Sequence, residues 1–288
     1  MDKPVGPTSH DAVAAVRRLL GERRVGHAGT LDPAASGLLV VLVGRATRLA
    51  RFVGPLPKSY RGTVRFGSET DSDDADGAAT ATDESWRSLD ARAVEAGLAE
   101  VASRGEQVPP AVSAKKVGGE RAYRLARRGS PADLEPVRVA IHRLAATRLA
   151  LPDLDVEVEC SSGTYVRAIA RDLGRALGTR AHLAALRRTR IGPWDVAQAV
   201  PLDGASTESL GAALRPPAEA VAHLPALEVG PEVAERARHG AKLDAGVAPG
   251  GPAAGACDGP VAFTREGTLL AVMERRGSEY APLVVLAP

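Results

Sequence analysis

The stretch that most constrains this chain is His27-Ala28-Gly29-Thr30-Leu31-Asp32-Pro33-Ala34-Ala35-Ser36-Gly37, which runs directly into Leu38-Leu39-Val40-Val41-Leu42-Val43. A polar segment punctuated by Gly and Pro, followed by an unbroken apolar run, reads as a loop leading into a buried strand. Pro33 disfavours the helical region for the residue before it, so Asp32 is expected to be extended or in a turn. A short acid on a stiffened loop, braced by a core strand, is one way to fix a single charge in a cleft. Taken alone, the same residues also describe an ordinary surface turn.

The 288 residues suffice for one large domain and a small one, or for two medium ones. No apolar run approaches the ~20 residues of a membrane span. Met1-Asp2-Lys3-Pro4 has no apolar signal core, so the expected compartment is the cytoplasm and no membrane partner is expected. Two cysteines, Cys160 and Cys257, are too few for a zinc site or a disulfide scaffold. The net charge of +2 conceals a polarised distribution. Nine bases face three acids from Lys115 to Arg148, and seven arginines face Asp172 alone from Tyr165 to Arg190. Glu69 to Glu84 carries seven acids and no base. Two basic blocks on a near-neutral chain suit a polyanion on one face, although solvated helix faces would look the same.

Thr8 or Ser9 can cap a helix from His10 to about Glu22. The loop 26–37, the strand 38–43 and a short helix Ala46–Val53 follow. Lys58–Phe66 alternates, with Tyr60, Val64 and Phe66 on one face and Arg61, Thr63 and Arg65 on the other, as in a half-exposed strand. Residues 69–77 read as a turn, 78–88 as loop, Asp90–Ser103 as a helix, 107–119 as a loop and Glu120–Arg128 as a basic helix. Strands at 136–150 and 154–160 form an antiparallel pair, the second turning Leu154, Val156, Val158 and Cys160 inward. Ser161-Ser162-Gly163-Thr164 should cap a helix from Tyr165 to about Leu177. Residues 181–186 read as a short helix before a strand at Thr189–Trp194. Beyond Pro225, a helix at Glu232–His239 and two short strands, Val261–Arg265 and Thr268–Glu274, indicate a small β-rich module. The expected boundary lies near residue 224.

Three segments carry chemistry: the Asp32 loop, Lys58-Ser59-Tyr60-Arg61, and Gly163-Thr164-Tyr165-Val166-Arg167 at a helix start. They offer one acid, one tyrosine on a strand and one arginine. No set of His, Cys and Asp has catalytic-metal spacing, and no P-loop, dinucleotide fingerprint or Gly-x-Ser-x-Gly elbow is present. Ser72 to Gly77, ending at Asp83, echoes a calcium loop, but its first ligand is Ser and its last is Asp instead of Glu. No metal or cofactor is expected.

His27-Ala-Gly-Thr-Leu-Asp32-Pro with Gly44-Arg-Ala-Thr47-Arg-Leu49 closely resembles the signature of the TruB family of tRNA pseudouridine synthases. So do Lys58-Ser-Tyr60, the run Thr70-Asp71-Ser72-Asp73-Asp74-Ala75-Asp76-Gly77, Pro109-Pro110-Ala-Val-Ser113-Ala114-Lys115, Gly163-Thr164-Tyr165-Val166-Arg167 and Leu186-Arg187-Arg188. The resemblance spans residues 2 to about 200, in order. It implies an α+β fold: a pseudouridine-synthase catalytic domain on a mixed, largely antiparallel sheet (1–224) and a C-terminal PUA-like RNA-binding module (225–288). It places the family's essential aspartate on Asp32, the base-stacking tyrosine on Tyr60 and the aspartate-pairing arginine on Arg167. Leu186 matches an apolar residue bordering the uracil, His27 a contact near the flipped base, and Asp74 an acid beside the tyrosine. Lys3 falls in the family's Lys-Pro element, and Lys115 and Lys116 in a loop expected to close over the T loop of tRNA.

The implied reaction converts uridine-55 in the T arm of tRNA to pseudouridine, an isomerisation that needs no redox partner, energy source or metal. A carboxylate can act on it as a nucleophile, or as the base that removes a sugar proton. The uracil must leave the RNA stack, and stacking on Tyr60 would offset that cost. The resemblance implies tRNA as partner, with no obligate protein partner and a monomeric chain. Other readings of the residues are a tRNA-folding chaperone and a pseudouridine synthase acting on another RNA. An intact acid, tyrosine and arginine favour the enzyme, because a pure binder has no use for a carboxylate facing phosphate.

Overall fold

The computed structural model describes residues 1–113, 116–117, 120–121, 128, 134–244, 246 and 259–286, with only the backbone at 116–117 and 120–121. These form two compact units. One comprises Met1–Ser9, Leu31–Leu39 and Pro55–Asp203; the other comprises His10–Thr30, Val40–Gly54 and Gly204–Pro288. No helix of the described residues is long and apolar enough to cross a membrane.

The first unit is built on a mixed sheet of seven strands. Lys58–Phe66 lies at its centre, antiparallel to both Asp153–Cys160 and Ala181–Ile191. Ile141–Ala150 extends the sheet beyond Asp153–Cys160. On the other side Ala35–Leu38 runs parallel to Ala181–Ile191 and is flanked by Asp2–Lys3. The expected alternation sets the core: Tyr60, Val64, Phe66, Leu154, Val156, Val158 and Cys160 are all buried in one cluster. Helices Ala91–Ser103 and Val166–Ala176 cover that face with Val94, Leu98, Val101, Ile169 and Leu173. Asp90 caps the first helix by accepting from Ala93 N at 2.7 Å. The second lacks the side-chain cap expected from Ser161–Thr164. Gln107 grips its start instead, accepting from Tyr165 N at 2.9 Å and donating to Tyr165 O at 3.1 Å.

Three expectations are corrected. Residues 181–186 are not a helix but the start of the eleven-residue strand Ala181–Ile191. The helix formers of Ala181-His182-Leu183-Ala184-Ala185-Leu186 are overruled by the central strand Lys58–Phe66, which pairs with them from Ala181 onward. The run 38–43 is not one strand: Leu38 ends Ala35–Leu38, and Val40–Val43 pairs with Val25–Ala28 in the other unit. The stretch 69–88 is not irregular, because Ser68–Thr70 pairs with Ala79–Thr82 before a 3₁₀ turn at Ser85–Ser88. Most of the expected basic helix at 120–128 lies outside the described residues. Glu120–Arg121 pairs with Lys116–Val117 as a short hairpin.

In the second unit, strands Ala226–Glu228, Gly259–Arg265, Thr268–Arg276, Glu279–Val285 and Leu243–Asp244 form a five-stranded sheet with the helix Pro231–Arg238 against it. Leu227, Phe263, Met273 and Tyr280 lie in its core. That core stays within 225–288, but the unit also takes in residues 10–30, 40–54 and 204–224. Arg45 and Arg48 tie the early segment to the last strand by donating to Leu286 O and Val285 O.

Close approach fixes one glycine. At Gly37 φ is +107°, and a Cβ there would sit 2.2 Å from the carbonyl oxygen of Arg188. Gly37→Ala should therefore cost more than about 2 kcal/mol, read as a lowered urea midpoint. A second expectation concerns pH. Burial, reinforced by the Arg188 charge, pushes the Lys58 ammonium down to about 8. The unfolded chain holds that proton to roughly pH 10, so it binds more protons between these values and this group's share of stability rises with pH. Burial pushes the Cys160 thiol up to about 11, which works in the opposite sense. The test is therefore the difference between wild type and Lys58→Met in urea unfolding, which should narrow in the wild type's favour from about pH 8 to pH 10.

Candidate active site

The helix Val166–Ala176 places Arg167, Arg171 and Arg175 four residues apart, on one face. Each meets a carboxylate from the segment 69–74. Arg175 makes a two-pronged contact with Glu69 at 2.9 and 2.7 Å. Arg171 reaches Asp73 at 2.8 Å and Asp172 at 2.9 Å, and donates to Val108 O. Arg167 Nη1 lies 3.4 Å from Asp74 Oδ2 and donates to Ser72 O at 2.8 Å. Its Nη2 donates to Val112 O at 3.0 Å and lies 3.0 Å from Asp32 Oδ2. The side chain of Arg167 is 9% exposed, whereas that of Asp32 is 48% exposed. A buried cation thus lies in ion-pair contact with a carboxylate that faces open space, while its hydrogen bonds to Ser72 O and Val112 O fix the guanidinium.

The Asp32 loop is pinned on both sides of the acid. Leu31 N donates to Ser9 Oγ at 2.9 Å, and that hydroxyl donates to Leu31 O at 3.1 Å. Ala35 N closes a turn on Asp32 O at 3.0 Å, and Gly6 N donates to Pro33 O. Asp32 opens on a cleft of about 850 Å³, whose walls include Asp74, Arg167, Leu186, Arg61 and Arg187. Asp74 is held for its part by the hydroxyl of Ser72, 2.5 Å from its Oδ1.

Of the residues expected from sequence, Asp32, Arg167, Asp74 and Leu186 therefore share one cleft. Tyr60 belongs to the core cluster and is 8% exposed, on the strand immediately before the wall residues Arg61 and Gly62. Burial pushes its phenol above the usual range, the Arg188 charge and hydrogen bond pull it down, and the Asp32 and Cys160 charges raise it. Lys3, expected to contact substrate, is fully buried. Its ammonium donates to Pro4 O at 2.7 Å and Pro7 O at 2.8 Å, which ties down the N-terminal turn. His27 belongs to the other unit, with its ring edge-on to His10 at 5.5 Å. Lys115 and the side chain of Lys116 lie outside the described residues.

The basic block at 165–190 is also corrected. Its arginines are not a bare phosphate path: Arg167, Arg171, Arg175, Arg180, Arg187 and Arg190 all lie within 4.0 Å of a carboxylate. The acidic stretch is the counter-charge of Arg167, Arg171, Arg175 and Arg180, whereas Arg187 meets Asp2 and Arg190 meets Asp195. Two residues had no role in the sequence reading. Gln107 carries no signal beyond its position in a loop. Arg188 is 1% exposed, and its one signal was its place beside Leu186 and Arg187.

Two family models match the chain: "TruB family pseudouridylate synthase (N terminal domain)" over residues 17–166 and "tRNA pseudouridylate synthase B C-terminal domain" over residues 167–215. A tRNA pseudouridine synthase B of Thermobifida fusca (strain YX) is 45% identical over 297 residues, covering 100% of this chain and 97% of the relative. One from Arthrobacter sp. (strain FB24) is 42% identical, covering 100% and 95%. Among solved structures, a chain of a Cbf5-Nop10-Gar1 complex aligns with a TM-score of 0.75 at 25% identity, over 99% of this chain and 82% of that one. A chain of an H/ACA RNP bound to a substrate RNA containing 2'-deoxyuridine aligns with a TM-score of 0.72 at 25% identity, over 100% and 84%. An acid paired with a buried arginine in an open cleft, on a chain matched along its length by these relatives, makes this protein a member of the TruB family of pseudouridine synthases.

Proposed function

We propose that this chain isomerises uridine-55 in the T arm of tRNA to pseudouridine. The observation that carries this reading is the Asp32–Arg167 pair, 3.0 Å apart, with its acid half-exposed to the cleft and its base buried. The names of the relatives supply the substrate class. The target uridine leaves the RNA stack at a cost of a few kcal/mol. Stacking on the Tyr60 ring, worth about 1–3 kcal/mol, offsets much of it, and Leu186 borders the uracil. Asp32 then acts on the nucleoside, either as nucleophile or by taking a sugar proton; both roles use the same ionised carboxylate. The C1′–N1 bond breaks, the base turns, and C5 joins C1′. The proton lost from C5 is matched by the one N1 gains, with Tyr60 as the group that moves it. Atoms and electrons balance without a metal or redox partner.

Asp74 keeps Arg167 from turning away from Asp32, since the two acids grip opposite prongs of one guanidinium. His27, Lys115 and Lys116 contact the tRNA around the flipped base, and the 225–288 module adds RNA-binding surface. Asp32, Arg167, Asp74 and Leu186 all come from one unit of one chain, which fits an enzyme that acts as a monomer.

Incubation with unmodified tRNA transcripts and mapping of pseudouridine tests the reading directly: product at a site outside the T arm, or only in another RNA, would overturn the assignment. Asp32→Asn should abolish product while tRNA affinity stays within a few-fold, and residual turnover would remove Asp32 from the chemistry. Arg167→Lys keeps the charge but loses the planar fork that serves both acids and both carbonyls. It should lower kcat by at least about a hundredfold with KM little changed. Equal losses in kcat and affinity would make Arg167 an RNA contact instead.

A further inference from the structure

Arg188 is the largest side chain to be fully buried in the described chain. A guanidinium so placed costs several kcal/mol unless it is paired, so its partners indicate why it is retained. The backbone fixes where it stands: in the strand register Arg188 sits opposite Tyr60 on one side and opposite Gly37 on the other. The missing side chain at Gly37 is what admits the Arg188 backbone at that distance. Arg188 Nε donates to Leu38 O at 2.8 Å, which anchors the base of the guanidinium. Directly paired residues of neighbouring strands turn their side chains to the same face, so the guanidinium lies within reach of the Tyr60 phenol, whose ionised form its charge and hydrogen bonding favour.

An arginine can only donate. In that bond the Tyr60 oxygen is therefore the acceptor, and its single O–H must point elsewhere. We propose that Arg188 is the positioning residue for the Tyr60 hydroxyl, fixing where the phenolic proton points and holding the phenolate that forms when that proton moves. This rests on the reading of Tyr60 as the group that moves the C5 proton, and deepens it. When the phenolate takes the proton from C5, the C5–H bond breaks, its electron pair returns to the ring and an O–H bond forms. N1 takes up, through solvent, the proton that the phenol released beforehand, so Tyr60 ends as the phenol and none is gained or lost overall. Without a nearby cation this buried phenol would resist ionisation. The other charged and titratable groups around the pair are Asp32, Lys3, Lys58 and Cys160, from the loop, the terminal strand and the two neighbouring strands. None of these other groups is a second arginine.

The test is made first on the free protein. Tyrosinate absorbance is followed against pH in wild type and in Arg188→Gln, with Tyr60→Phe identifying the Tyr60 transition among the four tyrosines. Arg188→Gln should move that transition upward by at least about one pH unit, and Arg188→Lys should restore part of the shift. An unmoved transition in a variant with the wild-type circular dichroism spectrum overturns the proposal. Turnover on tRNA supplies the second arm. Arg188→Gln should lower kcat by about tenfold or more with little change in KM, and should do nothing further in a Tyr60→Phe background. Losses that simply multiply would show that Arg188 acts independently of Tyr60, and would also overturn it. Should wild type make no pseudouridine at all, the functional reading fails, while the absorbance arm still decides whether Arg188 governs Tyr60.

Discussion

Much of the first unit is arranged around neutralising a row of buried guanidinium groups. A charge taken out of water must find an opposite charge and fill its hydrogen bonds, or the group is not tolerated. Arg167 and Arg171 are each 9% exposed at the side chain, and each has both a carboxylate and a backbone carbonyl. The segment 69–74 supplies Glu69, Asp73 and Asp74 to three successive turns of one helix. Ser72 and Val112 supply carbonyls to the same arginine that holds Asp32. Asp32, its side chain 48% exposed, is thus joined to a charge network whose arginines Arg167 and Arg171 are internal and whose far end, Arg175, returns to the surface.

The sheet explains why the network reaches the cleft. Ala181–Ile191 pairs along its length with the antiparallel Lys58–Phe66, and at Leu186–Arg188 also with a parallel neighbour, which fixes its register there from both sides. Leu186 and Arg188 are two apart on that strand, so one register places an apolar wall residue and a buried cation together. Gly37 lets the parallel neighbour come close enough for this, and the Asp32 loop enters the cleft at the start of the same neighbour. A polar loop, a glycine and an arginine far along the chain thereby act as one device.

Local pattern carried a large part of the fold. The alternation in Lys58–Phe66 and 154–160, the Asp90 cap and the helices near 10–20, 91–103 and 231–238 all stand close to where the sequence places them. The failures have a common cause. Ala181–Ile191 looks helical because its residues favour helix, and only pairing with Lys58–Phe66 makes it a strand. The run 38–43 looks continuous because every residue in it is apolar, yet it leaves one sheet for another after Leu38. Gln107 and Arg188 act through partners more than fifty residues away, beyond the reach of any local window.

By itself the sequence determined the chemical inventory: one acid made rigid by a following proline, one tyrosine on an alternating strand, and one arginine at a helix start. It also determined the family to which that inventory belongs. Tertiary structure alone decided how those charges are used. Whether an arginine faces solvent phosphate or a buried carboxylate depends on which distant segment packs beside it, and composition is blind to that. Hence the basic block that reads as a surface for a polyanion turns most of its cations toward the protein's own acids, and Lys3, which reads as a ligand contact, spends its donors on two carbonyls inside the fold.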